Sequence, residues 1–382
     1  MRKKAIVVGA GIVGLAVTRA LSEQGVDVTV IERSEKAVGA SIRNFGMVWP
    51  IGQPSGKMYN RAVRSRDIWK ELADQAGIWY DPCGSMHLAY HADEWQVLQE
   101  LKFLFSQENR PTFLWSADMI ADRFPTIQTK GLKGGLFSKD ELIVDPRKAI
   151  HALPDFFSEQ YHIKFLWKST VTDLKTNSVK VNGQWMDTDM VWVCSGADFE
   201  TLFPDLFSML AITKCKLQMM RFMPASATPR IGTAVCGGLS LAHYQSFKAA
   251  SSLKELHQRF ESEMKPYIAP AMHVMVSQNQ LGELTIGDSH EYGHSFDPFD
   301  QSSINQLILD YLATFMHCEN WKLVETWNGI YAKMTDNSTE IFLSPEKDVF
   351  ILNGLGGAGM TLSFGLAEQV VAKVLENEII IK

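Results

Sequence analysis

Near the start of the chain, the apolar positions follow first a strand pattern, then a helix pattern and then a strand pattern again. Residues 5–8 and 28–31 are short apolar runs rich in β-branched side chains, which is typical of buried strands. Between them, residues 15–21 carry apolar side chains at helical spacing. The order strand, helix, strand predicts a βαβ unit with a parallel pair of strands.

Later parts of the chain show the same two patterns. Residues 52–77 are predicted to form an amphipathic helix, with Arg61, Arg64 and Arg66 on its solvated face. Further helices are predicted at 91–107, 116–125, 145–159, 253–264 and 302–316. Further strands are predicted within 78–89 and at 163–165, 169–174, 190–194, 214–222, 272–277, 283–287 and 349–353, the last followed by a helix to 375.

Composition narrows the classes of protein that the chain can belong to. Its 382 residues are enough for two domains with cores of their own. A net charge of −6 argues against a nucleic-acid partner. The five cysteines are scattered without a C-x-x-C pair, which favours a reducing, cytoplasmic location and no metal site. No apolar stretch is long enough to predict an integral membrane segment.

A glycine motif joins the first predicted strand to the first predicted helix. Gly9, Gly11 and Gly14 form a G-x-G-x-x-G turn, and Glu32 follows the second strand. In such a turn the glycines permit tight folding and close approach of a pyrophosphate, while the helix N-terminus favours the phosphate charge. The acid at the end of the second strand accepts hydrogen bonds from a ribose 2′-hydroxyl. The motif therefore predicts a dinucleotide site.

A second glycine-rich turn, residues 354–359, also lies between a predicted strand and a predicted helix. It is placed to direct backbone N–H groups at an anionic atom. Because no further βαβ unit follows it, we expect this turn to contact the same cofactor. That expectation weighs against enzymes that bind two dinucleotides.

Residues 39–46 indicate which dinucleotide is bound. They include small and hydrogen-bonding residues such as Ser41, Arg43 and Asn44, where a nicotinamide domain normally has a helix. With the two glycine turns, this segment resembles the D-amino-acid oxidase superfamily of FAD-dependent amine oxidoreductases, which includes glycine oxidase and sarcosine oxidase. The resemblance covers nearly the whole chain and is most specific at 5–46 and 327–367.

The resemblance implies an α/β fold with discontinuous domains. Residues 1–83, 141–212 and 336–382 are expected to form a Rossmann-like FAD-binding domain. Residues 84–140 and 213–335 are expected to form an inserted α+β substrate domain with a mainly antiparallel sheet. The residues expected to bind FAD are Gly9, Gly11, Ile12, Val13, Gly14, Glu32, Arg33, Ser41, Arg43, Asn44, Gly46, Met47, Val171, Ser195, Gly196, Gly356, Gly357, Ala358, Gly359, Met360 and Thr361.

The chain departs from this family at three places. Glycine oxidase-type enzymes read W-x-G-x-R-P where this chain has Trp327-x-Gly329-x-Tyr331, so the arginine that clamps a substrate carboxylate is replaced by Tyr331. Sarcosine oxidase relatives anchor FAD through a cysteine in the same segment, and its absence here predicts non-covalent FAD. They also use a lysine for reaction with oxygen, and the matching residue here is Thr285.

Three runs, 44–54, 287–292 and 329–331, resemble a smaller branch of the family associated with phosphonate catabolism. This resemblance implies hydride transfer from an amine such as 2-aminoethylphosphonate to flavin N5, followed by imine hydrolysis. Oxygen or another electron acceptor would then reoxidise the flavin. The candidate catalytic or substrate-binding residues are Arg43, His243, His273 and Tyr331, and Lys333 is a further candidate for the anionic group.

Two alternatives remain open at this point. One is a glycine, sarcosine or D-amino-acid oxidase with a relocated carboxylate clamp. The other is a non-catalytic or redox-sensing flavoprotein. Each histidine also has a structural interpretation, as a core residue whose hydrogen bonds are satisfied by its neighbours.

Overall fold

The structure is a computed structural model that describes residues 2–225 and 228–376. Its strands are β1 (Lys4–Val8), β2 (Asp27–Ile31), β3 (Met47–Val48), β4 (Tyr80–Asp81), β5 (Ser85–Ala89), β6 (Thr112–Ser116), β7 (Gly134–Ser138), β8 (Leu142–Val144), β9 (Lys164–Leu166), β10 (Val171–Lys175), β11 (Ser178–Val181), β12 (Gln184–Asp187), β13 (Met190–Val193), β14 (Ile212–Met223), β15 (Ala234–Cys236), β16 (Met275–Gln278), β17 (Leu284–Gly287), β18 (Glu291–Gly293), β19 (Lys322–Met334), β20 (Ile341–Glu346) and β21 (Val349–Asn353).

The α-helices are α1 (Ile12–Glu23), α2 (Lys57–Ala76), α3 (Ala92–Gln107), α4 (Ala117–Arg123), α5 (Pro146–Tyr161), α6 (Pro204–Met209), α7 (Leu253–Glu263), α8 (Lys265–Ile268), α9 (Ser302–Leu312) and α10 (Gly359–Leu375). The sequence pattern therefore located the long helices to within a few residues at most ends. Across the described ranges, no helix is both long enough and apolar enough to cross a bilayer.

A six-stranded sheet in the order β20-β21-β13-β1-β2-β9 forms the first layer. Strand β1 lies parallel to β2 on one side and to β13 on the other, with Val7 opposite Val30 and Trp192. Helices α1 and α10 contribute long buried faces to the core beside this sheet. Because parallel strands are covered on both faces, they carry the continuous apolar runs seen in the sequence. The predicted Rossmann-like sheet is confirmed.

A nine-stranded sheet forms the second layer, in the order β18-β14-β17-β16-β15-β5-β7-β6, with β19 paired to β14. Its pairings are antiparallel except for β5 with β15. Strands β14 and β19 are the longest, and they pair from Ile212 opposite Met334 to Met223 opposite Lys322. Two three-stranded sheets, β10-β11-β12 and β3-β8-β4, complete the strands described. The predicted mixed α/β fold with an antiparallel second part is confirmed.

The interpretation of Arg61 as part of a solvated face is wrong. Arg61 is 2% exposed, its Nη1 lies 2.9 Å from Glu340 Oε1, and its Nε donates to Gln369 Oε1 at 3.0 Å. Helix α10 covers this side of α2, so that a Cβ added at Gly365 would lie 2.6 Å from the Arg61 carbonyl oxygen. In the sequence, arginines on one side of a helix give the same pattern whether that side faces solvent or is covered by a second helix. Arg64 does lie at the surface, where it pairs with Glu368.

Candidate cofactor and substrate site

A cavity of about 1280 Å³ runs between the two large sheets. One end is bordered by the turn after β1 and by the loop after β2, and the other by β19 and loops of the nine-stranded sheet. The first end of the cavity is lined by loops that follow the parallel strands. In open α/β sheets, ligands bind beside such loops. The two ends are called here the cofactor end and the substrate end.

The first glycine turn fits a close approach of backbone and ligand at the cofactor end. Gly9 has φ +105°, and a Cβ there would lie 2.5 Å from the Cys194 carbonyl oxygen. A Cβ at Gly14 would lie 1.9 Å from the Gly9 carbonyl oxygen, so Gly14 sets the packing of helix against strand. Gly9 and Gly11 border the cavity, whereas Gly14 does not. Ser41 Oγ accepts a hydrogen bond from Ile12 N at 2.9 Å and ties the second segment to this turn.

Glu32 lies at the end of β2 with its carboxylate fixed by backbone donors. Ala10 N donates to one oxygen at 3.0 Å, and Ser34 N donates to the other at 2.9 Å. A carboxylate has about four acceptor positions, so both oxygens can still accept from ribose hydroxyls. The carboxylate borders the cavity beside the glycine turn. This position is the one that the dinucleotide motif requires.

Two loops meet over the cofactor end. Arg33 Nη1 lies 2.6 Å from Asp198 Oδ2, which joins the loop after β2 to the loop after β13. In the second loop, Ser195 and Gly196 border the cavity, and Gly196 has φ +60°. Val171, at the start of β10, borders it as well. The predicted residues from four separate segments thus line one surface.

The segment 40–47 is held in shape by Asn44. Its amide nitrogen donates to the carbonyls of Ala40 and Ser41, and its amide oxygen accepts from Gly46 N at 2.8 Å. Asn44 and Met47 border the cavity, but Gly46 does not. Gly46 packs against the backbone instead, since a Cβ there would lie 2.0 Å from the Val144 carbonyl oxygen. Gly46 therefore serves packing in this structure.

Arg43 lies between the two ends of the cavity. Its Nη1 donates to the Asn328 carbonyl at 3.2 Å, in the strand that also carries Tyr331. It borders the main cavity and also a second, more open cavity of about 720 Å³. In this arrangement the guanidinium holds β19 against the cofactor segment.

The second glycine turn closes the cavity at the start of α10. Gly356 has φ +59° and begins a short 3-10 helix, Gly356–Ala358, that leads directly into Gly359. Residues 356–361 all border the cavity. Thr361 Oγ1 accepts from Trp49 N at 2.9 Å, and Trp69 Nε1 donates to the Met360 carbonyl at 2.8 Å. These bonds fix the N-terminus of a 17-residue helix toward the cavity.

Strand β19 brings two candidate residues to the substrate end. Tyr331 and Lys333 are two positions apart, so they point to the same face of the strand. A Cβ at Gly357 would lie 3.7 Å from the Tyr331 hydroxyl, which places that hydroxyl beside the second glycine turn. Burial raises the pKa of the Tyr331 phenol well above its usual value, so the phenol is neutral. Lys333 Nζ donates to Tyr292 Oη at 2.9 Å.

Three histidine rings lie together at the substrate end. The ring centroids are 3.7 Å apart for His243 and His273, 5.0 Å for His273 and His290, and 5.2 Å for His243 and His290. All three border the cavity. One nitrogen from each ring lies within 4.8 Å of the others, a spacing across which a single ion could be held. Among the described residues, this is the one such grouping of histidine, cysteine and acidic side chains.

Asp288 completes the histidine group. Its Oδ1 lies 3.1 Å from His273 Nε2, and both side chains are buried. His290 Nδ1 is 2.9 Å from the Ala271 carbonyl oxygen. Burial, followed by neighbouring positive charge, lowers the pKa of His243 and His273 well below the usual value, and burial lowers that of His290 to about 4. Burial raises the pKa of Asp288 well above its usual value.

The structure brings the candidate substrate residues Arg43, His243, His273, Tyr331 and Lys333 to one cavity. Sequence reasoning did not select Asp288 and His290 as site residues. Their signal was the polar run that directly follows the apolar strand β17. Thr285, by contrast, is buried within β17 and does not border the cavity.

The fold and the cofactor end define a protein of the dinucleotide-binding class. A family model described as "FAD dependent oxidoreductase", with the short name DAO, matches residues 4–373. The chain belongs to this family, and its cofactor is FAD. The glycine cradle and the fixed Glu32 carboxylate fit the pyrophosphate and ribose of that cofactor.

Curated relatives match only part of the chain. The tRNA 5-methylaminomethyl-2-thiouridine biosynthesis bifunctional protein of Saccharophagus degradans is 25% identical over 273 residues, which are 67% of this chain and 37% of that protein. A glycerol 3-phosphate dehydrogenase of Caloramator mitchellensis is 25% identical over 202 residues, which are 50% of this chain and 41% of that protein. The chain thus spans about two-fifths of the length of these relatives.

Solved structures match over nearly the whole chain. Glycine oxidase of Geobacillus kaustophilus has a TM-score of 0.79 at 19% identity, over 98% of this chain and 95% of that one. L-α-glycerophosphate oxidase of Mycoplasma pneumoniae, solved with FAD bound, has a TM-score of 0.75 at 15% identity, over 98% and 95%. At this level of identity the likeness establishes the fold.

Proposed function

We propose that the protein oxidises a primary or secondary amine. Support comes from the family and from structural neighbours named for C–N substrates, which include glycine oxidase, iminodiacetate oxidase and L-proline dehydrogenase. When bound, FAD accepts a hydride from the carbon next to the amine nitrogen. The remaining steps depend on how this chain holds the amine.

The buried substrate end favours a neutral amine. An ammonium group in this cavity would lose part of its hydration and lie near the positive charge of Lys333, so the amine releases its proton on entry. The neutral Tyr331 hydroxyl, beside the second glycine turn, can accept or donate one hydrogen bond and thereby orient the nitrogen. The released imine then hydrolyses in water to an aldehyde or keto product and ammonia or methylamine.

We further propose an aminophosphonate such as 2-aminoethylphosphonate as the substrate. The observation that carries this proposal is the donor set at the substrate end: Tyr331 replaces the arginine fork, while Lys333 and the histidine rings lie around the same cavity. A phosphonate is tetrahedral and resembles a phosphate, which carries close to two negative charges near neutral pH. It needs donors from several directions, whereas a planar carboxylate suits one arginine fork.

Two matched proteins bear on the charge of the substrate. The L-α-glycerophosphate oxidase and the glycerol 3-phosphate dehydrogenase are named for a substrate with a tetrahedral phosphate group. They are relatives with the same fold or partial sequence likeness, and their substrates are alcohols. A proper test must therefore separate an amine from an alcohol as well as a phosphonate from a carboxylate.

An anaerobic reduction experiment tests both parts of the proposal. Flavin absorbance is followed after mixing the FAD-loaded enzyme with 2-aminoethylphosphonate, its N-methyl and 1-hydroxy relatives, glycine, sarcosine, D-alanine and sn-glycerol 3-phosphate. We expect an aminophosphonate to bleach the flavin much faster than the others. Equal reduction by glycine or sarcosine contradicts the phosphonate assignment and favours an amino-acid oxidase. Reduction by the alcohol alone contradicts amine oxidation, and no reduction at all favours a non-catalytic flavoprotein.

We also propose that FAD is held non-covalently and that oxygen or another carrier reoxidises it. Trp327–Tyr331 contains no cysteine. The thiol of Cys194, which borders the cavity, is kept protonated because burial raises its pKa. Acid precipitation should therefore leave the flavin in the supernatant. Yellow colour retained in the washed pellet would contradict this. Stopped-flow reoxidation with and without oxygen identifies the acceptor class.

A further inference from the structure

The three histidines of the substrate end come from three separate segments. His243 follows the 3-10 helix Gly238–Ala242, His273 precedes β16 and His290 follows β17. His273 and His290 are buried, whereas His243 lies at the exposed edge of the cluster. Three imidazoles from separate segments at one cavity wall are the arrangement expected of a site that binds one ligand.

The surroundings of this cluster carry one fixed positive charge that faces the cavity. The titratable or charged groups around the rings are Cys215, Tyr244, Lys248, Asp288, Tyr292, Tyr331 and Lys333. Lys333 borders the cavity and acts on all three histidines, lowering the pKa of each. Asp288 is the one carboxyl in this set, and its Oδ1 lies 3.1 Å from His273 Nε2. The pocket is thus rich in potential donors and short of acceptors.

The ring geometry favours an anion over a metal ion. Imidazoles on one tetrahedral metal, with metal–nitrogen bonds of about 2.0–2.1 Å, have centroids roughly 5 Å apart. Both pairs that include His290 fit this value, but the centroids of His243 and His273 are 3.7 Å apart, with the ring planes tilted by 41°. The charge of Lys333 also opposes a cation. Hydrogen bonds to an oxyanion are longer, about 2.7–2.9 Å, and tolerate the 4.8 Å spread of the nitrogens.

We propose that His243, His273 and His290, together with Lys333, form a proton-accepting subsite for the tetrahedral dianionic group of the substrate. The imidazoles are neutral before binding, and a proton from solvent joins the cluster as the dianion enters. This inference rests on the proposed function, since it assigns residues and a proton to the phosphonate of that substrate.

The expected number of protons follows from charge balance. Lys333 supplies one positive charge beside the rings, while the Arg43 guanidinium is bound to the Asn328 carbonyl, so a dianion needs about one more positive charge from the histidines. Because the ring centroids of His243 and His273 are only 3.7 Å apart, charging both rings at once would place like charges in contact. His273 Nδ1 is buried and has no hydrogen-bond partner among the described residues, so it is free to take that proton and to donate it. We therefore expect uptake of about one proton per dianion bound.

Calorimetry on the FAD-loaded enzyme tests this expectation. Ethylphosphonate is the probe, because it has the dianionic group but no amine and cannot be oxidised by hydride loss next to nitrogen. Titration at about pH 9, where the free phosphonate is almost entirely dianionic, in buffers of different ionisation enthalpy should give uptake of about one proton per site. Ethanesulfonate has a similar shape but a single charge, and it should bind at least about tenfold more weakly.

Variants identify the group that takes the proton. His273→Gln and His290→Gln should each weaken ethylphosphonate binding by about ten- to a hundredfold, as expected for the loss of a charge-assisted hydrogen bond, and reduce proton uptake. His257→Gln, on the exposed side of α7, is the matched control and should change neither quantity. An intact flavin spectrum and thermal transition in each variant excludes misfolding.

Each outcome separates this inference from the proposed function. Binding without proton uptake, or uptake that survives both variants, overturns the inference. A stoichiometric transition metal that survives dialysis and disappears in the variants overturns it in favour of a metal site. If an aminophosphonate reduces the flavin while ethylphosphonate fails to bind, the subsite is wrong and the amine oxidoreductase stands. If ethylphosphonate binds with uptake but no amine reduces the flavin, the subsite stands and the proposed function fails.

Discussion

The two ends of the cavity are built from different parts of the chain. At the cofactor end the shape is set by main-chain atoms: glycine turns, helix N-termini and backbone N–H groups that hold Glu32. At the substrate end it is set by ionisable side chains that approach from several segments. The shape of the cofactor end therefore depends on the backbone conformation, and that of the substrate end depends on which side chains are present and which of them are charged.

This difference teaches where substitutions act. A change at a glycine of the cofactor end disturbs the path of the backbone, and it affects folding and FAD together. A change at the substrate end replaces one donor or acceptor and leaves the backbone path intact. Of the four predictions below, in order of expected effect, three test this contrast, and one concerns a buried carboxyl that borders neither end of the cavity.

The largest effect is expected for Gly14→Ala. The added Cβ would lie 1.9 Å from the Gly9 carbonyl oxygen, which is backbone and cannot move aside without opening the turn. Overpacking of this kind costs about 1–3 kcal/mol or more. We expect purified Gly14→Ala protein to contain little or no FAD, as measured by the flavin-to-protein absorbance ratio. Gly293→Ala is the control, because its Cβ would meet only ordinary contacts at 3.5 Å. Normal FAD content in Gly14→Ala would break the contrast.

The next effect concerns Glu141, a buried carboxyl that accepts hydrogen bonds from Ile51 N and Ser85 Oγ. Burial raises its pKa from 4.5 to about 7. Between these values the folded protein holds a proton that the unfolded chain has lost, so stability falls as pH rises from about 4.5 to 7. The loss amounts to roughly 3 kcal/mol at most.

Glu141→Gln should remove this dependence. Urea unfolding of wild type and variant at several pH values between 4.5 and 8 measures it. The difference in unfolding free energy should grow in favour of the variant up to about pH 7 and then remain constant. Glu319→Gln, at an exposed position, is the control. A constant difference across the range would show that Glu141 is ionised in the folded protein at all of these pH values.

A third prediction concerns the side chain on which the cofactor end depends. Glu32→Ala removes charge-assisted hydrogen bonds worth about 1.5–3 kcal/mol each. FAD affinity should fall about ten- to a hundredfold, measured by fluorescence titration of the apoprotein. Glu35→Ala changes an exposed acid in the same loop and serves as the control. Unchanged affinity in Glu32→Ala would mean that the carboxylate only supports the turn through Ala10 and Ser34.

The smallest effect is expected for Tyr331→Phe. The ring stays, so packing is kept, and only the hydroxyl beside the second glycine turn is lost. One neutral hydrogen bond contributes about 0.5–1.5 kcal/mol, so flavin reduction by the best substrate should slow by up to about tenfold. FAD content should not change. Tyr267→Phe, at a position that does not border the cavity, is the control and should leave the rate of reduction unchanged. A loss of bound FAD in Tyr331→Phe would show that the two ends are not independent.

The same contrast explains what the sequence could reveal. The glycine spacing and the acid after β2 predict the cofactor end, because local backbone geometry demands glycine at fixed positions. The apolar patterns predict the long strands and helices for the same reason. Whether another element covers the charged side of α2 depends on tertiary packing. The sequence pattern therefore predicts a solvated Arg61, whereas the residue is buried.

The substrate end could be predicted only in part. His243, His273 and Tyr331 were selected through resemblance to a family, and no spacing along the chain links them. Asp288 and His290 join them because β14, β16, β17 and β19 are neighbours in one sheet. Sheet order depends on pairing between distant segments, which periodicity alone does not encode. Meeting points of this kind require a three-dimensional structure.

The pairing of β19 with β14 has a consequence for the divergence of this family. The 13-residue strand β19 is held along its length by β14, while Tyr331 and Lys333 project from it into the cavity. Under the proposed function, a mutation at either position would alter recognition of the substrate while leaving the backbone hydrogen bonds of the sheet in place. Gene duplicates could therefore acquire new substrates through a few single-codon changes while retaining the cofactor throughout.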